Sequence, residues 1–122
     1  MRKSILIAED ESSIIEALSF ILRRENFDVS VEMDGKAALD KVTANRPDVM
    51  ILDIMLPSMN GIEVLKHIRT NALLENLPVI MLTAKGQSQD RHLAMEIGAN
   101  LFITKPFDNQ ELVDAVHRLA AE

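Results

Sequence analysis

Five short aliphatic runs recur along the chain at intervals of roughly twenty-five residues, and the segments between them carry apolar residues at helical period. The runs are Ile5-Leu6-Ile7-Ala8, Val29-Ser30-Val31, Val49-Met50-Ile51-Leu52, Val79-Ile80-Met81-Leu82 and Leu101-Phe102-Ile103. Three are unbroken, as expected of parallel strands covered on both faces. The second alternates polar and apolar residues from Asp28 to Glu32, which suits an edge strand, and the short fifth run suits the other edge. Helix punctuation fills the stretches between. Ser13-Ile14-Ile15-Glu16 has the form of a capping box, with Ile14, Leu18, Ile21 and Leu22 on one face behind it. Asp34 is placed to cap a second helix through Ala38, Leu39 and Val42, which must end before Arg46-Pro47. Gly61 opens a third, with Ile62, Leu65 and Ile68 on its buried side. Ser88 is placed to cap a fourth that stops at Gly98; it is the least amphipathic, anchored by Leu93, Ala94 and Ile97. Asp108-Asn109-Gln110-Glu111 forms a second capping box ahead of Leu112, Val116 and Leu119.

Alternating units with right-handed crossovers imply an α/β fold of (βα)5 type, a doubly wound parallel five-stranded sheet. A closed barrel would need eight units. With the second strand at an edge, the flavodoxin-like strand order 2-1-3-4-5 fits best, and functional groups belong at the carboxyl ends of the strands. The 122 residues read as one domain, residues 1–122. Thirteen Lys and Arg against nineteen Asp and Glu give a net charge of −6, with no basic stripe to offset it, which argues against direct binding of nucleic acid or an anionic membrane. The absence of cysteine excludes disulfides, thiolate metal sites and a Cys nucleophile. With no signal-peptide pattern and no long apolar run, the expected setting is cytoplasmic. Four Phe, without Trp or Tyr, leave an aliphatic core and little to stack on bases or sugars.

Most of the runs close on a charged or hydroxyl residue: Glu9-Asp10-Glu11 after the first, Asp53 after the third, Thr83-Ala84 after the fourth, Thr104-Lys105-Pro106 after the fifth. Singly, each has a structural reading. The acidic cluster can complement a helix dipole, Asp53 can be a loop acid, Thr83 a strand-end hydroxyl and Lys105-Pro106 a turn. Together they place carboxylates on one rim, where they repel and raise one another's pKa unless a cation sits among them. Asp10 and Asp53 offer the oxygen ligands that a hard ion such as Mg²⁺ takes while keeping several waters. A nearby Lys adds charge that a metal alone does not require, which points to a visiting anion such as a phosphoryl group.

At these residues the sequence resembles the receiver domain of two-component response regulators, over essentially the whole chain. The motifs that carry the likeness are Ala8-Glu9-Asp10, Ile51-Leu52-Asp53-Ile54-Met55-Leu56-Pro57 with Asn60-Gly61, Leu82-Thr83-Ala84, Gly98-Ala99 and Lys105-Pro106-Phe107. The resemblance implies that Asp53 accepts a phosphoryl group from a sensor histidine kinase or phosphotransfer protein. It implies Mg²⁺ (or Mn²⁺) held by Asp10, Asp53 and the Met55 carbonyl, with Glu9 acting mainly through water. Thr83 would be the switch hydroxyl, Phe102 the switch aromatic, and Thr83, the Ala84 amide and Lys105 the phosphoryl-binding groups. The Lys105-Pro106 bond would be cis. Phosphoryl transfer relies on positioning and electrostatics, so a carboxylate nucleophile needs no catalytic His. His67, His92 and His117 fall on three different helices and are read as solvated or partly packed.

Some positions depart from the family's pattern. Glu9 stands where Asp is more frequent, and Phe102 where Tyr is frequent. Receivers of winged-helix regulators usually carry an acidic residue before that aromatic and a basic one on the last helix; here these are Leu101 and Ala115. The expected output face is the fourth helix, fifth strand and fifth helix, signalling to a downstream effector domain or protein, with the domain monomeric or a weak phosphorylation-dependent dimer. Met55 and Lys85 cannot orient an attacking water as an amide or carboxylate can, which predicts a long-lived phosphorylated state. Three other readings remain open at this point. In a pseudo-receiver, a binding module that is never phosphorylated, Asp10, Asp53, Thr83 and Lys105 would be superfluous. A mononucleotide carrier would need a phosphate loop where Glu9-Asp10-Glu11 stands. A small phosphohydrolase would normally have an acid at Met55.

Overall fold

The computed structural model describes residues 2–84 and 88–121, the side chain of Ser88 excepted, so the predicted cap at Ser88 and the role read for Lys85 lie outside the described residues. In chain order the elements are β1 (Ser4–Ala8), α1 (Ser12–Arg24), β2 (Asp28–Glu32), α2 (Gly35–Ala44), β3 (Val49–Asp53), α3 (Gly61–Arg69), β4 (Val79–Ala84), α4 (Ser88–Ile97), β5 (Leu101–Lys105) and α5 (Asn109–Ala120). All strand pairs are parallel, and the sheet order is β2-β1-β3-β4-β5, as predicted.

Strand alternation sorts the aliphatic residues into two cores, one on each face. Leu6, Ala8, Met50, Leu52, Val79 and Met81 face one way, into a layer closed by Ala38 and Val42 of α2, Leu65 and Ile68 of α3, and Ala94 of α4. Ile5, Ile7, Val49, Ile51, Ile80, Leu82 and Ile103 face the other way, against Leu18 and Leu22 of α1 and Leu112, Val116 and Leu119 of α5. The unbroken runs are thus the strands with a helix layer on either side. Each fully buried Leu or Ile contributes about 1.5–3 kcal/mol, so these layers dominate the fold's stability.

Two local expectations are corrected. The first helix starts at Ser12 with Glu11 at the N-cap, not at a cap on Ser13. Chain direction is set one turn earlier, because the Glu9 carboxylate takes the amides of Asp10 and Glu11 at 3.0 and 3.1 Å and turns the backbone at once. On α4, Ala94 is buried and Ile97 packs against the core, but Leu93 is 40% exposed. Leu93 stands about 100° round the helix from Ala94, beyond Ile97 at the margin of the buried face. The caps read at Asp34 and Asp108 are present: Asp34 accepts from the Ala37 amide and Asp108 from those of Gln110 and Glu111. Among the described residues no helix is long and apolar enough to cross a membrane.

Candidate functional site

Sheet register brings the site together. The strands run further than the aliphatic runs, so Asp53, Thr83, Ala84 and Lys105 are still paired: Asp53 lies beside Leu82, Thr83 beside Thr104 and Ala84 beside Lys105. Beyond β1, Glu9 continues the edge by donating its amide to the Glu32 carbonyl at 3.1 Å. Four adjacent strand ends therefore project onto one rim. Behind Asp53 the chain turns back tightly, with the Gly61 amide on the Ile54 carbonyl at 2.8 Å. A Cβ on Gly61 would collide with the Asp53 carbonyl, so only glycine lets α3 begin against the end of β3. Asn60 caps α3 by accepting from the Glu63 amide at 3.0 Å.

The rim is buried and charged. Glu9 is fully buried and Asp53 is 3% exposed, while Asp10 is exposed. One oxygen of each of these three carboxylates lies within 4.8 Å of the others. The Lys105 ammonium meets Glu9 Oε1 at 2.8 Å and Asp53 Oδ1 at 3.4 Å. Its approach to Glu9 is that of an ion pair off the hydrogen-bonding direction, and Oε1 has no hydrogen-bond partner among the described residues. Burial first, and then the charge of Glu9, push the Asp53 carboxyl up to about 6 against the pull of Lys105. Burial alone would lower the Lys105 pKa, but its close approach to Glu9 and the charges of Asp53 and Glu9 together raise it above the ordinary lysine value. Among the described residues, the ammonium of Lys105 thus stands at a rim of three carboxylates and pairs with two of them.

That deficit is a physical argument for a cation. The donor set is all oxygen, two of its members are carboxylates cut off from water, and one buried oxygen is incompletely satisfied. Hard divalent ions suit such donors. Both Glu9 oxygens are already engaged, Oε1 by Lys105 and Oε2 by two amides, which leaves Asp10 and Asp53 the more available ligands.

The remaining residues singled out by sequence lie around this centre. Thr83 is 2% exposed, and its hydroxyl donates to the Ala84 carbonyl at 3.3 Å. Met55, two residues past Asp53, is exposed. Lys105-Pro106 is cis, as the family likeness implied. Phe102 is half-buried and packs against the α2–α4 core. Three arrangements were not read from the sequence. Arg91 of α4 stacks 5.6 Å from the Phe102 ring centroid. Asp34 accepts from Ser58, tying α2 to the loop that follows Asp53. His117 pairs with Glu25 at 2.9 Å and lies against Phe27, joining α5 to α1. None has a local signal, since each partner is far off in sequence.

The family model described as the response regulator receiver domain matches residues 5–117. Among curated relatives, the alkaline phosphatase synthesis transcriptional regulatory protein PhoP of Bacillus subtilis is 43% identical over 112 residues, covering 92% of this chain and 46% of that protein. The chain spans about half the length of the curated relatives it matches. A solved structure from Chloroflexus aurantiacus, described as a response regulator, superposes with a TM-score of 0.95 at 34% identity and full coverage of both chains. The receiver domain of a sensor histidine kinase from Pseudomonas aeruginosa, solved with a magnesium ion coordinated in its active site cleft, gives a TM-score of 0.91 at 27% identity, again over both full chains.

Proposed function

This chain belongs to the response regulator receiver domain family, and on that premise we propose that residues 1–122 form a phosphorylation-driven signalling switch whose acceptor is Asp53. The observation that carries the reading is the Lys105 ammonium set between two buried carboxylates, with a third at the mouth. Such a rim is costly unless further positive charge completes it, and a rim so completed can receive an anion. Mg²⁺ (or Mn²⁺), held by Asp10, Asp53 and the Met55 carbonyl, would supply Lewis-acid neutralisation of the carboxylates and the incoming phosphoryl oxygens. The magnesium in the Pseudomonas receiver structure supports that choice of ion.

The chain's own residues do the rest. An Asp53 oxygen attacks phosphorus as the bond from phosphorus to the donor's imidazole nitrogen breaks, the electron pair leaving with nitrogen. No base is needed, because the attacking carboxylate is already ionised at neutral pH, its pKa of about 6 notwithstanding. Lys105 clamps one phosphoryl oxygen, and the Thr83 hydroxyl and Ala84 amide take others. Thr83 must turn from the Ala84 carbonyl to reach the phosphoryl group, and these new contacts supply the differential affinity that shifts the conformational equilibrium.

The donor is a sensor histidine kinase or phosphotransfer protein. The signal leaves through the face of α4, β5 and α5 to an effector domain or protein, with Phe102 following Thr83 inward. Intact-mass spectra test the acceptor: acetyl phosphate with Mg²⁺ adds one phosphoryl group to the wild type and none to Asp53→Asn. An undiminished label in that variant contradicts the assignment.

A further inference from the structure

One guanidinium, at the opposite end of the sheet from the carboxylates, ties three segments together. Arg69, the last residue of α3, donates from Nε to the Gly98 carbonyl at 2.9 Å, from Nη1 to the Glu75 carbonyl at 3.2 Å and from Nη2 to Asn100 Oδ1 at 3.0 Å. Asn100 Oδ1 also accepts from the Val79 amide at 2.8 Å, and the Asn100 amide donates to the Val79 carbonyl at 3.0 Å. Asn100 is thereby locked to the first residue of β4. Gly98 has a φ of 120°, and a Cβ there would stand 3.1 Å from Arg69 Nε, so glycine serves both the turn and the close approach.

Gly98 follows the last residue of α4, its amide returned to the Ala94 carbonyl at 3.1 Å. A cation bonded to the Gly98 carbonyl stands just past the last turn and meets the negative end of the helix dipole. Beyond its packing on α3 and β5, the helix has little apolar anchoring among the described residues. Ala94 is its one buried side chain among the described residues, Ile97 is half-buried, and Leu93 and Met95 are 40% and 45% exposed. Among the described residues, the side chains that α4 packs on the core, Ala94 and Ile97, and the bond from Arg69 to Gly98 lie towards its C-terminal end. Its other end follows β4, whose last residues Thr83 and Ala84 stand on the carboxylate rim.

We infer that Arg69 is a positioning residue that makes the C-terminal end of α4 a fixed pivot, so that phosphorylation swings the N-terminal end of the helix instead of displacing it whole, a role that rests on the phosphoryl reading of the rim. A small displacement at the rim then becomes a rotation. Arg91, near the swinging end, travels further than Ile97, near the pivot, and leaves the Phe102 ring on which it stacks. The output is a change in the surface formed by Arg91 and Phe102, while the junction of α4 and β5 stays in place.

Amide chemical shifts of the ¹⁵N-labelled protein, with and without beryllofluoride and Mg²⁺, test the pivot. In the wild type the shift changes should be largest over residues 89–92 and fall severalfold towards Gly98–Asn100. Equal changes at both ends of α4 overturn the proposal without any variant. In Arg69→Gln the changes should extend through Asn100, and exchange of the Gly98 and Ala99 amides, both bonded to the Ala94 carbonyl, should be about tenfold faster. Arg69→Lys, which keeps the charge but not the planar three-way donor, should fall between. A purely structural contact would lower the melting temperature and leave the profile along α4 unchanged, which also overturns the pivot. Mass spectra after acetyl phosphate separate the two ideas: a labelled wild type with a level profile rejects the pivot alone, and an unlabelled one rejects the phosphoryl reading and the pivot with it.

Discussion

Asp53 carries a pH signature that needs no kinase to detect. Its carboxyl is pushed from the ordinary 3.8 up to about 6 in the folded protein, by burial and then by Glu9. The folded state therefore binds this proton more tightly than the unfolded chain does. The stability so gained is complete below about pH 3.8 and is lost as pH rises through about 6. In chelator, wild type should lose on the order of 1–3 kcal/mol between pH 4 and pH 7 from this group, and Asp53→Asn should lack that slope and melt higher at pH 7. Denaturant titrations at several pH values measure it; parallel slopes in the two proteins would contradict the account. Lys105 has the opposite bias, held charged by Glu9 and Asp53 across the whole range. Lys105→Ala should keep or strengthen Mg²⁺ binding, because it removes a competing cation, while losing most of the amide-shift response to beryllofluoride. A full wild-type response in that variant would show that the ammonium does not read the phosphoryl group.

At the scale of the elements, the joint between β3 and α3 decides whether Asp53 is presented correctly. Gly61→Ala should push α3 away from the Asp53 carbonyl, with a loss of about 1–3 kcal/mol in chemical denaturation and slower phosphorylation. Wild-type stability and rate in that variant would mean that the joint yields freely. Much of this level was legible in the sequence. Runs of Val, Ile and Leu at strand length, the caps at Asp34 and Asp108, and the β2 edge follow from period and local side-chain chemistry, which need no partner to be recognised. The rim was legible because strand ends in such a sheet share one edge, so Glu9, Asp10, Asp53, Thr83 and Lys105 had to converge. What escaped was whatever depends on a distant partner. Ser13 looked like a cap because its motif is local, whereas the Glu9 carboxylate that turns the chain earlier belongs to the buried rim. Leu93 looked like an anchor because period does not fix the helix's rotation on the sheet. The hub at Arg69 has no motif, since its acceptors include main-chain carbonyls supplied by two later segments.

For the whole molecule, the proposed output face of α4, β5 and α5 would set the assembly that phosphorylation could drive. Ala115 is buried and Leu101 is half-buried and apolar, so one ion pair expected across a two-fold contact on this face has no charges to form it. Arg91 and Glu111 remain, and single exposed ion pairs contribute only about 0–1 kcal/mol. Sedimentation with beryllofluoride should find a monomer or a weak dimer; a tight activated dimer through this face would contradict that expectation. The proposed switch depends on one bond, from an Asp53 oxygen to phosphorus. Borohydride reduction of the phosphorylated protein, followed by tandem mass spectrometry, reads that bond directly, because an aspartyl phosphate is reduced to homoserine. The account predicts homoserine at position 53 after acetyl phosphate with Mg²⁺, and none when the metal is chelated. Homoserine at Asp10 or elsewhere, or none at all in the presence of metal, would contradict it.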